Sequence, residues 1–140
     1  MAEPVAGKAE RMLHSTRTKY EFQFGYSRAV RHGNVIRVAG TAGLNDDGQV
    51  VSDDVVDQMR RALELVRIAI EDLGGRLEDV IMTRLYVSEV HNIDSVAVIH
   101  GEVFRDIRPA TTIVKVDFID PRILVEVEAE AVYGGAKEKK

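Results

Sequence analysis

Residues 108–128 read Arg-Pro-Ala-Thr-Thr-Ile-Val-Lys-Val-Asp-Phe-Ile-Asp-Pro-Arg-Ile-Leu-Val-Glu-Val-Glu, and they show most clearly how the chain folds. Residues 112–118 and 123–132 are rich in β-branched side chains, which predicts two strands. Asp120-Pro121, a turn dipeptide, lies between them. Glutamates alternate with valine and alanine from Glu126 to Glu130, so one face of the second strand is apolar and the other is charged.

A hairpin and a long helix are predicted earlier in the chain. Residues 25–30 and 35–40 are separated by His32-Gly33-Asn34, which is typical of a turn between two strands. Asp53 or Asp54 can cap a helix that runs to about Leu73, where two glycines end it. Its apolar stripe is Val55, Met59, Ala62, Val66, Ala69 and Leu73. Spacing by three and four residues predicts that this stripe packs on a flat surface.

A further strand and a second helix complete the pattern. The strand spans residues 80–88, Asn92 can cap the helix, and Pro109 ends it. The inward residues of this helix are Val96, Ile99, Val103 and Ile107. The order β-β-α-β-α-β-β predicts an α/β (α+β) single domain, with two helices on one face of a mixed sheet.

Length and composition limit the organisation of the chain. A chain of 140 residues has room for one domain with a core. We expect residues 18–133 to form it, with residues 1–17 as a flexible or loosely docked arm and residues 134–140 as a flexible tail. Cysteine is absent, which excludes a disulfide scaffold and a thiolate nucleophile. The four histidines are not spaced with carboxylates as in metal motifs, so no metal site is expected.

The charge balance bears on possible partners. The net charge is −4 and the basic residues are dispersed, which argues against a dedicated nucleic-acid binder. No apolar run approaches the ~20 residues of a membrane span. The N-terminus also lacks the pattern of a secretion signal. We therefore expect a cytoplasmic protein without a membrane partner.

Charged residues also alternate with apolar ones on other strands. Arg37, Arg84 and Lys115 each lie between apolar or β-branched neighbours. In one interpretation, the charged sheet face meets water. In the other, these cations meet the glutamates at positions 126–130 at a subunit interface.

The segment quoted above resembles the C-terminal signature of the YjgF/Rid family, also called the L-PSP family. That signature has a Pro-Ala-Arg turn and a strand glutamate fifteen residues after the arginine. Here Pro109-Ala110 leads in, Thr111 stands at the position of the arginine, and Glu126 follows fifteen residues later. The frame of the signature is kept, but its arginine is replaced.

Matches to the family extend over about residues 20–133. Tyr26 resembles a tyrosine that lies over the family's ligand cleft, and Gly40 resembles a glycine whose backbone approaches the ligand. The resemblance implies a chorismate-mutase-like fold and a homotrimer with a small-molecule cleft at each subunit interface. It therefore favours the interface interpretation of the charged face.

The family's chemistry depends on the arginine and the glutamate. Its deaminating members hydrolyse enamine or imine intermediates, such as 2-aminoacrylate, to keto acids and ammonia without a cofactor. The arginine clamps the substrate carboxylate, and the glutamate orients or activates the attacking water. Thr111 offers only a hydroxyl, which cannot replace a charge-assisted fork, so we expect little turnover of 2-aminoacrylate. Glu126 could still be catalytic, or it could be a charge at the sheet or trimer interface.

Two other cations could replace the missing clamp. Arg28 follows Tyr26 by two residues, so both side chains can point the same way in an extended strand, and Arg84 lies on a strand of the same sheet. We also expect Thr111 and Glu126 to be neighbours, because the Asp120-Pro121 turn joins their strands. His100, one position from Ile99, is expected to be a half-buried structural histidine. The candidate residues are Tyr26, Arg28, Gly40, Arg84 and Thr111 for substrate binding, and Glu126 for catalysis.

Three function classes are consistent with the sequence. The first is an enamine/imine deaminase, a hydrolase with altered substrate choice. The second is a non-catalytic ligand-binding or regulatory trimer. The third is an endoribonuclease or translation inhibitor of the L-PSP type, against which the acidic charge balance argues.

Overall fold

The computed structural model describes residues 2–5 and 8–134, and it shows one mixed sheet with two long helices on one of its faces. The strands are β1 (Glu3–Val5), β2 (Lys8–His14), β3 (Ala29–His32), β4 (Val35–Ala42), β5 (Val80–Val87), β6 (Ala110–Lys115) and β7 (Val125–Val132). The helices are α1 (Lys19–Phe24), α2 (Val55–Asp72) and α3 (Ile93–Phe104). The predicted mixed α+β fold, with its hairpin, two main helices and three later strands, is confirmed.

Helix α2 forms where the sequence predicts it. The Asp54 carboxylate accepts the Val56 N–H at 2.7 Å, which satisfies a helix N–H that has no partner within the helix. All six residues of the predicted apolar stripe are buried and belong to the core. At the other end, Gly74 adopts a φ of 93°, and Arg31 donates to the Leu73 carbonyl at 2.9 Å. The core therefore lies between α2 and the sheet.

Helix α3 is shorter than predicted. It ends at Phe104, whose carbonyl accepts the N–H groups of Ile107 and Arg108 at 3.0 and 2.9 Å. Arg108 has a positive φ of 55°, so the chain turns away before Pro109 is reached. Asn92 is the N-cap residue of α3, as predicted, but its side chain makes no capping hydrogen bond.

The described part of the predicted N-terminal arm contains strands β1 and β2. Residues 8–14 form β2, which pairs with β3 from Arg11 opposite His32 to His14 opposite Ala29. Helix α1 was not predicted, although Thr18 and Glu21 provide the reciprocal bonds of a capping box. The Glu21 carboxylate also accepts the Thr16 hydroxyl at 2.6 Å. Of the predicted tail, residues 135–140 lie outside the described residues.

The order of the strands places β7 inside the sheet. That order is β1-β2-β3-β4-β7-β5-β6, and only the β5–β6 pair is parallel. A parallel pair needs a crossover connection, which α3 provides, so β6 is carried to the far edge. The predicted pairing of β6 with β7 is therefore wrong, because β5 lies between them. Thr111 pairs with Thr83, and Glu126 pairs with Tyr86 three positions further along β5.

The two faces of the sheet differ in what covers them. Leu85, Val127 and Ala129 face the helices and are buried. The opposite face of β5 and β7, here called the open face, carries Met82, Arg84, Tyr86, Glu126, Glu128 and Glu130. The prediction that Lys115 shares this face is wrong. Lys115 pairs with Val87 on the neighbouring strand, and side chains of paired residues lie on the same face of a sheet. Val87 is buried under the helices, so Lys115 is on the helix side.

No helix in residues 2–5 or 8–134 combines the length and the apolar character that crossing a membrane requires.

Gln58 of α2 holds three backbone groups in the interior. Its amide donates to the carbonyls of Ser52 and Arg122 at 2.8 and 3.0 Å and accepts the Leu124 N–H at 2.8 Å. Because an unsatisfied buried polar group costs about 1–3 kcal/mol, we expect Gln58→Leu to lower the free energy of unfolding by about 3 kcal/mol or more. Urea denaturation measures this, with Gln23→Leu on exposed α1 as the control. Equal stability of the two variants would contradict the role of Gln58.

Candidate functional site

A bulge in β4 creates a close approach between two strands. Val38 pairs with Ala129 and Thr41 with Val127, so β4 uses one more residue than β7 in this interval. Gly40 lies in the bulge. A Cβ atom on Gly40 would be 2.5 Å from Glu126 Oε1, so only glycine leaves room for the carboxylate in this position.

Glu126 is a partly buried carboxyl with a perturbed proton affinity. Burial raises its pKa above the usual value for glutamate, because the charged form loses hydration. The positive charge of Arg28 opposes this effect, and the neighbouring Glu128 adds to it. A carboxyl whose pKa is raised toward neutrality can both accept and return a proton.

Arg28 is held against the same bulge. Its guanidinium donates to the Gly40 carbonyl and to Thr41 Oγ1, the latter at 3.4 Å. The structure thus brings together three residues that the sequence singled out: Arg28, Gly40 and Glu126. Tyr26, at the end of α1, is 45% exposed, and its N–H donates to the Glu21 carbonyl at 3.0 Å.

The remaining charges of the open face are paired within the chain. Glu130 accepts from Arg37 at 2.8 Å and lies 3.2 Å from Arg84. Tyr86 donates its hydroxyl to Glu128 at 2.5 Å, and this hydrogen bond raises the pKa of the tyrosine. Arg37 and Arg84 therefore both pair with Glu130 within the chain, whereas their meeting with glutamates at a subunit interface stays a prediction. Arg84, a candidate for substrate binding, already has a carboxylate partner.

An open groove of about 460 Å³ runs over this part of the sheet. Its polar lining comes from Ser27, Arg28, Arg37, Arg84, Glu128 and Glu130. Arg28 belongs to this lining and also acts on the pKa of Glu126. Arg28 is therefore common to the groove and to the surroundings of Glu126.

Comparison with known proteins gives the family. Residues 17–133 match the family described as Endoribonuclease L-PSP. The chain belongs to this family, the YjgF/Rid family. An uncharacterized protein of Streptomyces coelicolor is 38% identical over 116 residues, which cover 82% of this chain and 87% of that protein.

A solved structure and a named enzyme are also similar. The crystal structure of a YjgF/YER057c/UK114 family member from Mycobacterium tuberculosis is 40% identical, with a TM-score of 0.79. The similarity covers 87% of this chain and 98% of that one. A protein of Acinetobacter baylyi named 3-aminoacrylate deaminase RutC is 27% identical over 107 residues, or 76% of this chain and 85% of its own.

Thr111 lies apart from Glu126 in this YjgF/Rid chain. Its hydroxyl is 2.8 Å from that of Thr83 and 3.1 Å from the Pro109 carbonyl, and Thr83 is 2.9 Å from His100 Nε2. Because Thr83 is buried under the helices, Thr111 lies on the helix side of the edge strand. His100 is half-buried, as expected, and burial lowers its pKa.

Sequence reasoning did not find Thr41, Tyr86 or Glu128 as parts of the site. A glycine inside a predicted strand is the signal that could have indicated the bulge, and hence Thr41. The Tyr86–Glu128 pair depends on the register of β5 and β7, which local sequence does not specify. Among residues 2–5 and 8–134, no group of three or more histidines and carboxylates is placed to hold a metal ion.

The raised pKa of Glu126 gives a pH-dependent effect on stability. The folded chain binds this proton more tightly than the unfolded chain, so the contribution of Glu126 is most favourable below the ordinary glutamate pKa of about 4.3. It is lost as the pH rises through the folded-state pKa. We therefore expect Glu126→Gln to be more stable than wild type near neutral pH, with a gain that disappears in acid. Thermal denaturation across pH measures this.

Glu89→Gln is the control for this measurement, because Glu89 is exposed and should show no such gain. A Glu126→Gln variant whose stability differs from wild type by the same amount at every pH would contradict a raised pKa.

Proposed function

We propose that the protein hydrolyses a small enamine or imine to a carbonyl compound and ammonia, with Glu126 as the acid–base group. The observation that carries this proposal is the partly buried Glu126 carboxyl, with its raised pKa, against the Gly40 backbone. A 27% identical relative is named as a deaminase of an aminoacrylate, which supports the same class of reaction.

The chemistry requires one carboxyl that both accepts and donates a proton. Water adds to the imine carbon while Glu126 takes one of its protons. Glu126 passes this proton to the nitrogen, which gives a neutral carbinolamine. Glu126 then takes the hydroxyl proton and delivers it to the nitrogen as the carbon–nitrogen bond breaks, so that a carbonyl compound and ammonia leave. Imine and water thus give carbonyl and ammonia, with no oxidant or cofactor required.

The substrate is proposed to differ from 2-aminoacrylate. Thr111 stands where deaminating relatives carry the clamp arginine, and its hydroxyl already contacts Thr83 and the Pro109 carbonyl. It can supply neither a positive charge nor a bidentate fork. We therefore expect slow hydrolysis of 2-aminoacrylate compared with other imines.

The ligand site is proposed to lie at an interface of a homotrimer. The open face carries three glutamates, and arginines from the two neighbouring strands pair with one of them, Glu130. No helix of the described residues covers this face. Large apolar side chains on and directly after α1 are also exposed: Tyr20, Phe22, Phe24 and Tyr26. Exposed apolar surface of this kind favours association. Residues of the edge strand, including Thr111, would then reach a site of a neighbouring copy.

A non-catalytic ligand-binding trimer is the second candidate. The observation that favours it is the engagement of Thr111 within its own chain, which leaves no charge at the position of the clamp. Binding without turnover requires the groove and its charges but not proton transfer at Glu126. Saturable binding with no product from any imine would select this alternative.

Turnover tests the proposed reaction directly. We expect ammonia release from imines generated in situ from a panel of neutral and carboxylated amines, at rates above those in buffer alone. Because general acid–base catalysis contributes roughly 100-fold or more, Glu126→Gln should reduce the rate by about that factor. Gly40→Ala should also slow it, since the added methyl displaces the Glu126 carboxylate. Glu89→Gln should match wild type, and full activity of Glu126→Gln would rule out the proposed role.

Assembly is tested by sedimentation at micromolar concentration, where we expect a homotrimer. Arg84→Glu places a carboxylate beside Glu130 on the open face and should weaken the trimer, since unpaired charges are costly to bury. Arg60→Glu is the control, because Arg60 is exposed on α2 in the helix layer. A wild-type protein that sediments as a stable monomer would contradict the interface site.

A further inference from the structure

The three arginines of the groove differ in their partners. Arg37 and Arg84 share the carboxylate of Glu130, at 2.8 and 3.2 Å. Arg28 instead donates to the Gly40 carbonyl and to Thr41 Oγ1, which are both uncharged. Within the described part of the chain, no carboxylate forms an ion pair with Arg28.

The groove as a whole has a surplus of positive charge. Its lining contains three arginines and two glutamates, and one of these glutamates, Glu130, is shared by two arginines. The other, Glu128, accepts the Tyr86 hydroxyl. A guanidinium without an ion-pair contact in a concave site is well suited to a small anion, because charge-assisted hydrogen bonds are stronger than those between neutral groups.

The bonds to Gly40 and Thr41 also fix the guanidinium in place. Both are made by the same nitrogen, Nη2, so the donors on the other two guanidinium nitrogens are not used by these bonds. A guanidinium that is already oriented loses less conformational entropy when it binds a ligand.

We propose that the groove binds a small organic anion at Arg28, with the rest of the ligand directed toward Glu126. If the anion is the acidic group of the substrate, this inference rests on the proposed function, and Arg28 anchors the substrate on a different strand from the position of Thr111. The binding of an anion as such does not depend on turnover.

Anion binding at Arg28 should be coupled to a proton on Glu126. The charged and titratable groups that face Glu126 are Arg28 beside β3, Glu128 on its own strand and Tyr86 on β5. Arg28 is the cation that lowers the pKa of Glu126. A bound anion offsets this charge and repels an ionised Glu126, so the pKa rises further and the protein takes up a proton. The affinity for the anion should therefore increase as the pH falls toward the pKa of Glu126.

The experiment measures binding of pyruvate to the full chain by calorimetry or NMR, with pyruvamide as the neutral probe of nearly the same shape. We expect pyruvate to bind at least about tenfold more tightly than pyruvamide, a difference that Arg28→Gln abolishes. Arg28→Lys keeps the charge and should retain part of the preference. Arg60→Gln removes an equal charge from the helix layer and should behave as wild type.

The pH dependence gives a second readout on the unmodified protein. Methanesulfonate, which stays ionised, should bind wild type more tightly as the pH is lowered from about 8 through the pKa of Glu126, and this pH dependence should be absent in Glu126→Gln. Equal affinity for pyruvate and pyruvamide, or an anion affinity unchanged in a folded Arg28→Gln variant, would overturn the proposal. Turnover of neutral imines without an anion preference would remove this inference and leave the proposed reaction intact. Anion binding without turnover of any imine would support this inference and rule out the proposed reaction.

Discussion

The parallel pairing of β6 with β5 is the constraint on which the site depends. Because α3 crosses over the sheet and delivers β6 to the outer side of β5, β7 must enter between β4 and β5. A strand in the interior of a sheet has partners on both sides, so the β7 glutamates are flanked by two strands. Glu130 is thereby reached from both β4 and β5, and Glu126 comes to lie against the β4 bulge.

The same placement explains why Glu126 differs from the other two glutamates. The Glu130 carboxylate forms ion pairs with two arginines, and the Glu128 carboxylate accepts a hydrogen bond from the Tyr86 hydroxyl. Glu126 instead faces a glycine that leaves room for its carboxylate, and its burial outweighs the effect of Arg28 on its pKa. Glu126 is therefore a partly buried carboxyl whose pKa is raised by burial.

The fold was predictable because local patterns agree with the tertiary structure. The stripe on α2 predicts its buried side, and the Asp54 cap predicts its start. The alternation along β7 predicts which side chains face the helices. These features depend on residues within a few positions of each other, which is the range over which sequence patterns are informative.

The site was predictable only in part, because its geometry depends on strand order and register. Arg28, Gly40 and Glu126 were identified and do lie together. Thr111 was placed beside Glu126 because consecutive strands were assumed to pair, whereas the crossover separates them. Lys115 was assigned to the wrong face for a related reason, since the register of β6 on β5 decides its orientation. Strand β2 was missed because residues 8–14 show no clear alternation, and its pairing with β3 is a tertiary interaction.

The proposed chemistry depends on Glu126 as a partly buried carboxyl whose pKa is raised by burial, an effect that the positive charge of Arg28 opposes. Titration of its side-chain carboxyl by NMR tests this most directly. In wild type, we expect a pKa above the ordinary value of about 4.3 for glutamate. In Arg28→Gln, we expect a further rise, because the opposing positive charge is removed. An ordinary pKa in wild type that is unchanged in Arg28→Gln would show that neither burial nor Arg28 acts on Glu126, and it would rule out the proposed acid–base role.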